Sequence, residues 1–334
     1  MEGKASYILR RLLWVLPILF VVTFATFALA RFGPGDPIRV AAGNFRDEEA
    51  FERIRAARGL DKPIHEQYYL YMEGVLTRFD LGESFRYQGR TVNEVMFPAM
   101  WRSMQYNIIA LAITMPMGIA LGVFAAKRQG TWADPTAISS FLVIQSIPVL
   151  IWVPFALLIF ALKLGVLPAS GWPQDCNVVL PALGDSYECI GVVSKEAIIP
   201  LLALSLPGIA VWGRFTRAFT LEVMKEDYVR TARAKGLSEY SVLKGHILRN
   251  AMLPLSTIII FSFVTLLEGA FFIETLTGIP GVGLLSFEAV QGRDYDFIMA
   301  VVLVGAVTFV MASIVVDIVY TFIDPRVRYG ARDN

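Results

Sequence analysis

Long apolar stretches alternate with polar connections along the whole chain. A membrane-spanning helix needs roughly 20 mostly apolar residues, because the hydrocarbon core is about 30 Å thick and a helix rises about 1.5 Å per residue. Inside such stretches the backbone groups must pair with one another, since lipid offers no partner. The pattern therefore predicts an all-α integral membrane protein with six spans, at Leu12–Ala30, Met104–Ala126, Ile138–Leu162, Ile198–Phe219, Pro254–Ile273 and Phe297–Ile323.

The basic residues of the short connections predict which side each connection faces. Lys and Arg in short loops favour the cytoplasm. The connection 32–102 also holds many basic residues, but a segment of this length is translocated largely regardless of charge. Both termini are therefore expected in the cytoplasm. The residues that carry this assignment are Lys4, Arg10, Arg11, Lys127, Arg128, Lys225, Arg230, Arg233, Lys235, Lys244, Arg249, Arg326, Arg328 and Arg332.

The first span has an alternative interpretation. Ala28, Leu29 and Ala30 follow a basic start and an apolar run, as in a secretory signal peptide with its cleavage site. Cleavage would leave five spans and place the two termini on opposite sides of the membrane. The apolar run is long for a signal peptide, which favours a retained span.

Composition is typical of a membrane protein and gives no support for a nucleic-acid partner. Of the 334 residues, 55% are hydrophobic, and the mean hydropathy is +0.56. A soluble core of this length needs less apolar surface. Since 30 basic and 29 acidic residues nearly cancel, bulk charge gives no support for a nucleic-acid partner.

The first extracytoplasmic connection contains apolar and aromatic residues at helical spacing between Leu60 and Leu76. This spacing predicts an amphipathic helix. Two interpretations stay open. The helix lies at the membrane interface or receives a soluble partner, with its tyrosines at the boundary, or it is a small solvated cap.

Two cysteines, Cys176 and Cys189, lie in the connection between the third and fourth spans. Their spacing is not that of a metal or thioredoxin-type pair. If this loop faces an oxidising compartment, the two can form a disulfide, worth roughly 3 kcal/mol for a small loop. Two free thiols are the alternative.

The connection between the fourth and fifth spans has the marks of two short helices. Gly236 is placed to end the first helix in the left-handed conformation, and Ser238 is placed to cap the start of the second. A helix pair too short to bury itself presents a surface for another protein. The alternative is a solvated basic loop that only fixes topology.

The residues from Tyr228 to Leu237, Tyr-Val-Arg-Thr-Ala-Arg-Ala-Lys-Gly-Leu, resemble the EAA loop of ABC importer permeases in the dipeptide, oligopeptide and nickel branch. Arg230 and Thr231 stand where the general EAA pattern has Glu and Ala. The resemblance implies a coupling helix that docks into a cytoplasmic ATPase. The residues to which it assigns this role are Tyr228, Arg230, Thr231, Ala232, Ala234, Gly236, Leu237, Ser238, Tyr240 and Leu243.

Further motifs resemble the same branch along almost the whole chain. They are Gly33-Pro34-Gly35-Asp36-Pro37, Gly59-Leu60-Asp61-Lys62-Pro63, Asp80-Leu81-Gly82-Glu83-Ser84, Ile279-Pro280-Gly281-Val282-Gly283 and Asp324-Pro325-Arg326-Val327-Arg328-Tyr329. Their order implies the type I importer permease fold and a B-type subunit. The expected division is an N-terminal tail with the first span (1–31), an extracytoplasmic segment (32–102) and a five-helix core (103–334) that includes the EAA-like loop 222–250.

The resemblance also implies partners. They are a homologous C-type permease, one or two cytoplasmic ABC ATPases, an extracytoplasmic solute-binding protein and the bilayer of a bacterial cytoplasmic membrane. The chain has no phosphate-binding G-x-x-x-x-G-K-[ST] motif, and its two histidines form no metal-binding pair. We therefore expect a permease without enzyme activity or cofactor of its own, and ATP and Mg bound by the partner ATPases.

Ionisable residues at membrane depth are functional candidates, because placing them there is costly. Glu268 is expected to line the pathway or to make a structural hydrogen bond, and Asp317 to pair with a neighbouring helix or with Arg217. Gln145, Ser146 and Pro148 interrupt the third span, where an irregular helix facing a cavity is expected. The pathway candidates are therefore Gln145, Ser146, Pro148 and Glu268.

Two other classes of function remain in view. A self-sufficient secondary transporter would explain six spans and Glu268, but it offers no role for the EAA-like loop. A membrane-embedded enzyme would need clustered catalytic residues, which the sequence does not suggest. Within the resembling family the solute ranges from dipeptides and oligopeptides to glutathione, nickel chelates and oligosaccharides, and peptide is our expectation.

Overall fold

The computed structural model describes residues 4–32, 48–57, 59–169, 171–172 and 194–323. Within these ranges the chain is helical, and no strand occurs beyond one isolated bridge between Glu83 and Thr91. The helices are α1 Lys4–Phe32, α2 Glu48–Ala57, α3 Ile64–Arg78, α4 Val92–Lys127, α5 Ala133–Ser146, α6 Val149–Ala156, α7 Ile198–Met224, α8 Asp227–Ala234, α9 Glu239–Val242, α10 Arg249–Glu268, α11 Phe271–Thr277, α12 Val282–Gly292 and α13 Tyr295–Ile323. One π-helical segment extends α6 over Leu157–Lys163, and another joins α9 to α10 over Leu243–Leu248.

Five helical segments of the described residues are long and apolar enough to cross a membrane. The bent pair α5–α6 makes a sixth if its two halves form one span. The halves meet at 88°, at the position where the sequence predicts an interruption. Pro148 has no N–H to donate, and it forces Ile147 into an extended conformation with ψ of 113°. The helix therefore stops at Ser146 and restarts at Val149.

The second span is longer than the sequence predicts, since α4 begins at Val92 rather than at Met104. Thr91 accepts a hydrogen bond from the backbone N–H of Glu94, whose side chain accepts one from the N–H of Thr91. This reciprocal cap fixes the start of the helix outside the apolar stretch. The expected boundary between residues 102 and 103 thus lies within one continuous helix.

The fifth span ends earlier than predicted. The sequence predicts a continuous helix to Ile273, but α10 ends at Glu268. Gly269 has a φ of +74°, a conformation that residues with a side chain rarely adopt and that a right-handed helix cannot contain. The chain then forms two short helices, α11 and α12, at the end of the fifth span that the sequence predicts to be extracytoplasmic, and we call residues 270–292 the outer hairpin.

Close packing of α4 on α7 forms the centre of the fold. A Cβ added to Gly118 or Gly122 would lie closer than 3.0 Å to atoms of α7. Small residues at such positions let two membrane helices approach backbone to backbone, where dispersion contacts are densest. Helices α4 and α7 also contact the bent span α5–α6 and the helix α10.

The predicted amphipathic helix between Leu60 and Leu76 is present as α3. Its inner face packs Ile64, Tyr68 and Tyr71 against Phe27 of α1 and Met299 of α13. The Tyr68 hydroxyl lies 2.8 Å from the hydroxyl of Thr23. Helix α3 is therefore attached to the ends of two spans and leaves Tyr69 and Leu76 exposed. Cys176, Cys189 and the motifs at 33–37 and 324–329 lie outside the described residues.

Candidate functional site: the helix pair before the fifth span

The connection between α7 and α10 folds into the predicted helix pair. Helix α8 ends at Ala234, and Gly236 follows with a φ of +78°. A Cβ added to Gly236 would meet nothing within 4 Å. Glycine is needed here for its backbone conformation and not for space.

The second helix starts as the sequence predicts. The Ser238 hydroxyl accepts a hydrogen bond from the backbone N–H of Ser241 at 3.3 Å and so caps α9. Across the turn, Arg233 donates to Glu239 at 2.9 Å. Both groups are partly exposed, so this ion pair adds little stability, but it orients α8 relative to α9.

The inner face of the helix pair is a small apolar core. Val229 and Ala232 of α8, Val242 of α9 and Ile247 are all buried and in one cluster. Val223 and Met224, at the end of α7, pack against them. The pair is therefore attached to the end of the fourth span and to the start of the fifth, so that a displacement of the pair moves both.

The outer face exposes most of the residues assigned to ATPase coupling. Tyr228, Leu237 and Tyr240 present apolar or aromatic surface to solvent, and Tyr240 is 70% exposed. Partial burial, and the charge of the nearby Glu226, raise the pKa of the Tyr228 hydroxyl above its ordinary value. Other exposed members of the set are Arg230, Thr231, Ala234, Gly236 and Ser238.

Two members of the predicted coupling set do not face solvent. Ala232 is buried in the apolar core, and Leu243 is half-buried against it. Their positions indicate a packing role within the helix pair. Arg230 extends into solvent and pairs with Asp227 of its own helix at 3.3 Å.

Arg217 forms an ion pair with Asp134, a partner that the sequence did not predict. Arg217 of α7 donates through Nε and Nη2 to the two carboxylate oxygens of Asp134 of α5, at 2.6 and 2.8 Å. The structure therefore pairs Arg217 with Asp134, while the Asp317 side chain lies outside what the structure describes, so its contact with a neighbouring helix or with Arg217 stays a prediction. The sequence analysis missed Asp134, although an acid and a base at the ends of two adjacent spans were a usable signal.

The pathway candidates lie at the two helix breaks. Ser146 is the last residue of α5 and donates its hydroxyl to the carbonyl of Leu142 at 2.7 Å, and Pro148 is the N-cap residue of α6. The amide nitrogen of Gln145 is buried without a hydrogen-bond partner among the described residues. Glu268 ends α10, but its side chain and that of Asp317 lie outside what the structure describes.

Glu274, which is not among the site residues predicted from the sequence, is completely buried in α11. Its carboxylate accepts hydrogen bonds from Ser103 of α4 and from the backbone N–H of Gly283. The predicted fifth span ended at Ile273, one residue before it. Among the described residues, no group of three or more His, Cys, Asp or Glu side chains is arranged to hold a metal ion.

Comparisons with known proteins agree with this architecture. Residues 118–329 match the family model described as "Binding-protein-dependent transport system inner membrane component", and residues 5–103 match the model of its N-terminal region. Relatives cover 97% of this chain and 99% of their own length. They include a putative peptide transport system permease protein of Brucella abortus (35% identical), the oligopeptide transport system permease protein OppB of Haemophilus influenzae (33%) and the dipeptide transport system permease protein DppB of Alkalihalophilus pseudofirmus (33%).

A solved chain of the MetNI methionine ABC transporter in an inward-facing form aligns with a TM-score of 0.48. It is 14% identical over 69% of this chain and 96% of that chain, a likeness too low to carry an argument. The family match covers more than half of the chain and, with the helices of the described residues, it confirms the all-α membrane fold class expected from the sequence. The chain therefore belongs to the family of binding-protein-dependent transport system inner membrane components, and it is a permease subunit of an ABC importer.

Proposed function

We propose that this permease forms half of the translocation pathway for dipeptides or oligopeptides, which a binding protein delivers from outside. The relatives named above are described as peptide, oligopeptide and dipeptide permeases, and the match extends over nearly the whole of each chain. The second half of the pathway comes from a homologous C-type permease.

The observation that carries the mechanism is the two-sided helix pair of α8 and α9. Its inner side is one apolar cluster with the end of α7, and its outer side exposes Leu237 and Tyr240. Aromatic and apolar groups exposed at the tip of a protrusion are typical of a protein interface. We assign this surface to one or two cytoplasmic ABC ATPases, which bind ATP and Mg.

The geometry gives the ATPases a mechanical route to the pathway. A docked ATPase that shifts the helix pair displaces the end of α7 through Val223 and Met224. It also displaces the start of α10 through Ile247. Because packed interiors transmit strain with little compression, both spans tilt together. Alternating opening of the pathway to the two sides follows from this motion.

This assignment sets the orientation of the chain. The helix pair and both termini lie in the cytoplasm of a bacterium, the protein spans its cytoplasmic membrane, and α3 and the outer hairpin lie on the extracytoplasmic side. Residues 32–102 form the extracytoplasmic segment, residues 103–334 form the core, and residues 222–250 contain the coupling loop.

Two exposed tyrosines at opposite ends of the molecule test the proposal. Tyr240 is 70% exposed on the helix pair, and Tyr69 is 67% exposed on α3. We expect Tyr240→Ala to weaken ATPase copurification and peptide-stimulated ATP hydrolysis at least tenfold, because interface aromatics often carry about 2 kcal/mol or more. Tyr69→Ala should leave ATPase copurification unchanged.

The assay uses the tagged permease with its copurifying proteins in proteoliposomes. Recovery of a second permease, an ATPase and a binding protein with peptide-stimulated hydrolysis supports the importer. Uptake of peptide by the isolated chain in vesicles without ATP would contradict it and favour a secondary transporter.

A further inference from the structure

Glu274 uses both oxygens of its buried carboxylate, and every partner is a hydrogen-bond donor. Backbone N–H groups donate to it from its own helix and from the start of α12, and hydroxyl groups donate to it from α4. Oε1 accepts from Ala270 N at 3.0 Å, from Ser103 Oγ at 2.7 Å and from the Tyr106 hydroxyl, while Oε2 accepts from Gly283 N at 2.6 Å and from Leu284 N at 3.0 Å.

These contacts supply the cap that helix α12 lacks. Its N-cap residue is Gly281, which has no side chain to accept hydrogen bonds from the first turn. The first backbone N–H, that of Val282, donates to Ser103 Oγ at 3.0 Å, and the next two donate to Glu274. The free N–H groups at the start of a helix need such acceptors, and a carboxylate there also interacts favourably with the helix dipole.

Three glycines make room for the carboxylate. A Cβ added to Gly269, Gly281 or Gly283 would lie closer than 3.0 Å to a carboxylate oxygen of Glu274. Two of them belong to the motif Ile279-Pro280-Gly281-Val282-Gly283, to which the sequence analysis assigned no role. We call Glu274, its donors and these glycines the carboxylate seat.

The seat holds a carboxylate without an ion pair. In the described part of the chain no Lys or Arg lies within 4.0 Å of the Glu274 oxygens, and the nearby Arg102 donates instead to the carbonyl of Pro280 at 2.8 Å. An amide cannot replace this carboxylate, because in one orientation the glutamine nitrogen would face the N–H of Ala270 and in the other it would face the N–H groups of Gly283 and Leu284.

The position of the seat connects it to the transport cycle. Helix α10 runs 20 residues from the helix pair to Glu268, which is about 30 Å and the thickness of the hydrocarbon core. The seat thus lies at the opposite membrane face. There, Ile273 of α11 packs against Val153 of α6 and Ala203 of α7, so the outer hairpin contacts the second, third and fourth spans together.

We propose that Glu274 is a positioning residue which fixes the outer hairpin on α4 and so keeps the extracytoplasmic end of the pathway closed until the importer cycles. The inference rests on the proposed function for the direction of transport. Without the carboxylate, the first turn of α12 loses its acceptors, the hairpin separates from α4, and the outer end opens without ATP.

The test compares single variants of the assembled importer in proteoliposomes. Glu274→Gln removes the carboxylate, Tyr106→Phe removes one donor, and Ser103→Ala removes one donor together with the acceptor of the Val282 N–H. The control is Glu288→Gln, a partly exposed glutamate of the same hairpin that pairs with Arg86 at 3.2 Å. Two readouts are taken, which are the passive leak of potassium without ATP and the basal rate of ATP hydrolysis without peptide.

We expect Glu274→Gln to assemble normally and to raise both readouts about tenfold, the effect of one lost hydrogen bond to a charged group. Ser103→Ala and Tyr106→Phe should shift both in the same direction by less, and Glu288→Gln should match the wild type. A solely structural glutamate would lower assembly and all activities together, without a leak.

Wild-type leak and basal hydrolysis in Glu274→Gln would overturn the proposal. If Glu274→Gln does not assemble, wild-type behaviour of both Ser103→Ala and Tyr106→Phe would overturn it equally. Potassium leaks when the outer end opens while the cytoplasmic end is also open, so this readout reports the loss of outer closure and does not depend on the solute. ATP-driven uptake of trialanine by the wild type tests the proposed function separately.

Discussion

The two ends of this permease are built by different kinds of contact. The helix pair at one end is held by contacts between residues close in sequence, since Gly236, Ser238 and the core around Val242 lie within one connection. The carboxylate seat at the other end joins Glu274 to Ser103, 171 positions away in the chain. The first end is exposed and suited to a partner, and the second is buried and suited to holding elements of the fold together.

This difference explains what the sequence could predict. The helix pair was predictable because a glycine at a helix end and a serine at the next helix start are local signals. The break at Pro148 was predictable for the same reason. Neither signal requires knowledge of the tertiary structure.

The buried contacts were not predictable in this way. Glu274 follows an apolar stretch directly, so that a window of about 20 residues assigns its neighbours to a span and gives no sign of the donors on α4. The pairing of Arg217 with Asp134 likewise needs the packing of α5 on α7. Asp317 was an equally acceptable partner for Arg217 in sequence.

The largest expected effect on stability comes from the ion pair of Arg217 and Asp134, which tests whether a long-range contact also stabilises the end of the fold that carries the helix pair. The Asp134 side chain is 8% exposed, so Asp134→Ala leaves a largely buried guanidinium without its partner. We expect a loss of about 3 kcal/mol in unfolding free energy, measured by thermal unfolding in detergent.

The control for that change is Asp227→Ala, which removes an exposed ion pair with Arg230. It should alter stability by less than about 1 kcal/mol. Equal effects of the two substitutions would show that burial does not distinguish these pairs.

The next effect concerns the space around the carboxylate seat. Gly281→Ala places a Cβ against Glu274 and Ser103, and we expect a loss of about 2 kcal/mol from overpacking. Gly292→Ala, at the end of the same helix, meets only one side-chain atom at 3.9 Å and should be neutral. Thermal unfolding of both variants measures the difference, and a neutral Gly281→Ala would contradict the described packing.

A smaller effect on stability, but a large one on transport, is expected for Gly236→Val. The open space around Gly236 leaves only backbone strain of about 1–2 kcal/mol. The distorted turn should uncouple ATP hydrolysis from uptake, with peptide uptake falling at least tenfold while basal hydrolysis persists. Gly245→Val, also in open space but without a positive φ, is the matched control. Normal uptake by Gly236→Val would refute the coupling role.

The smallest effect is expected at the cap of α9. Ser238→Ala removes the acceptor for the Ser241 N–H and should cost about 1 kcal/mol of local stability. Hydrogen exchange of the α9 amides measures this opening, with Ser241→Ala as the control that keeps the cap. Unchanged exchange in Ser238→Ala would mean that the apolar core alone holds the helix.

The most direct test of the account asks which end of the permease contacts the ATPase. A photo-crosslinking phenylalanine derivative replaces Tyr240 in one sample and Tyr69 in another, and both importers are irradiated in native membranes. The account predicts a crosslink to the ATPase from position 240 and none from position 69. A crosslink to the ATPase from position 69, or its absence from position 240 in an importer that hydrolyses ATP, would contradict it.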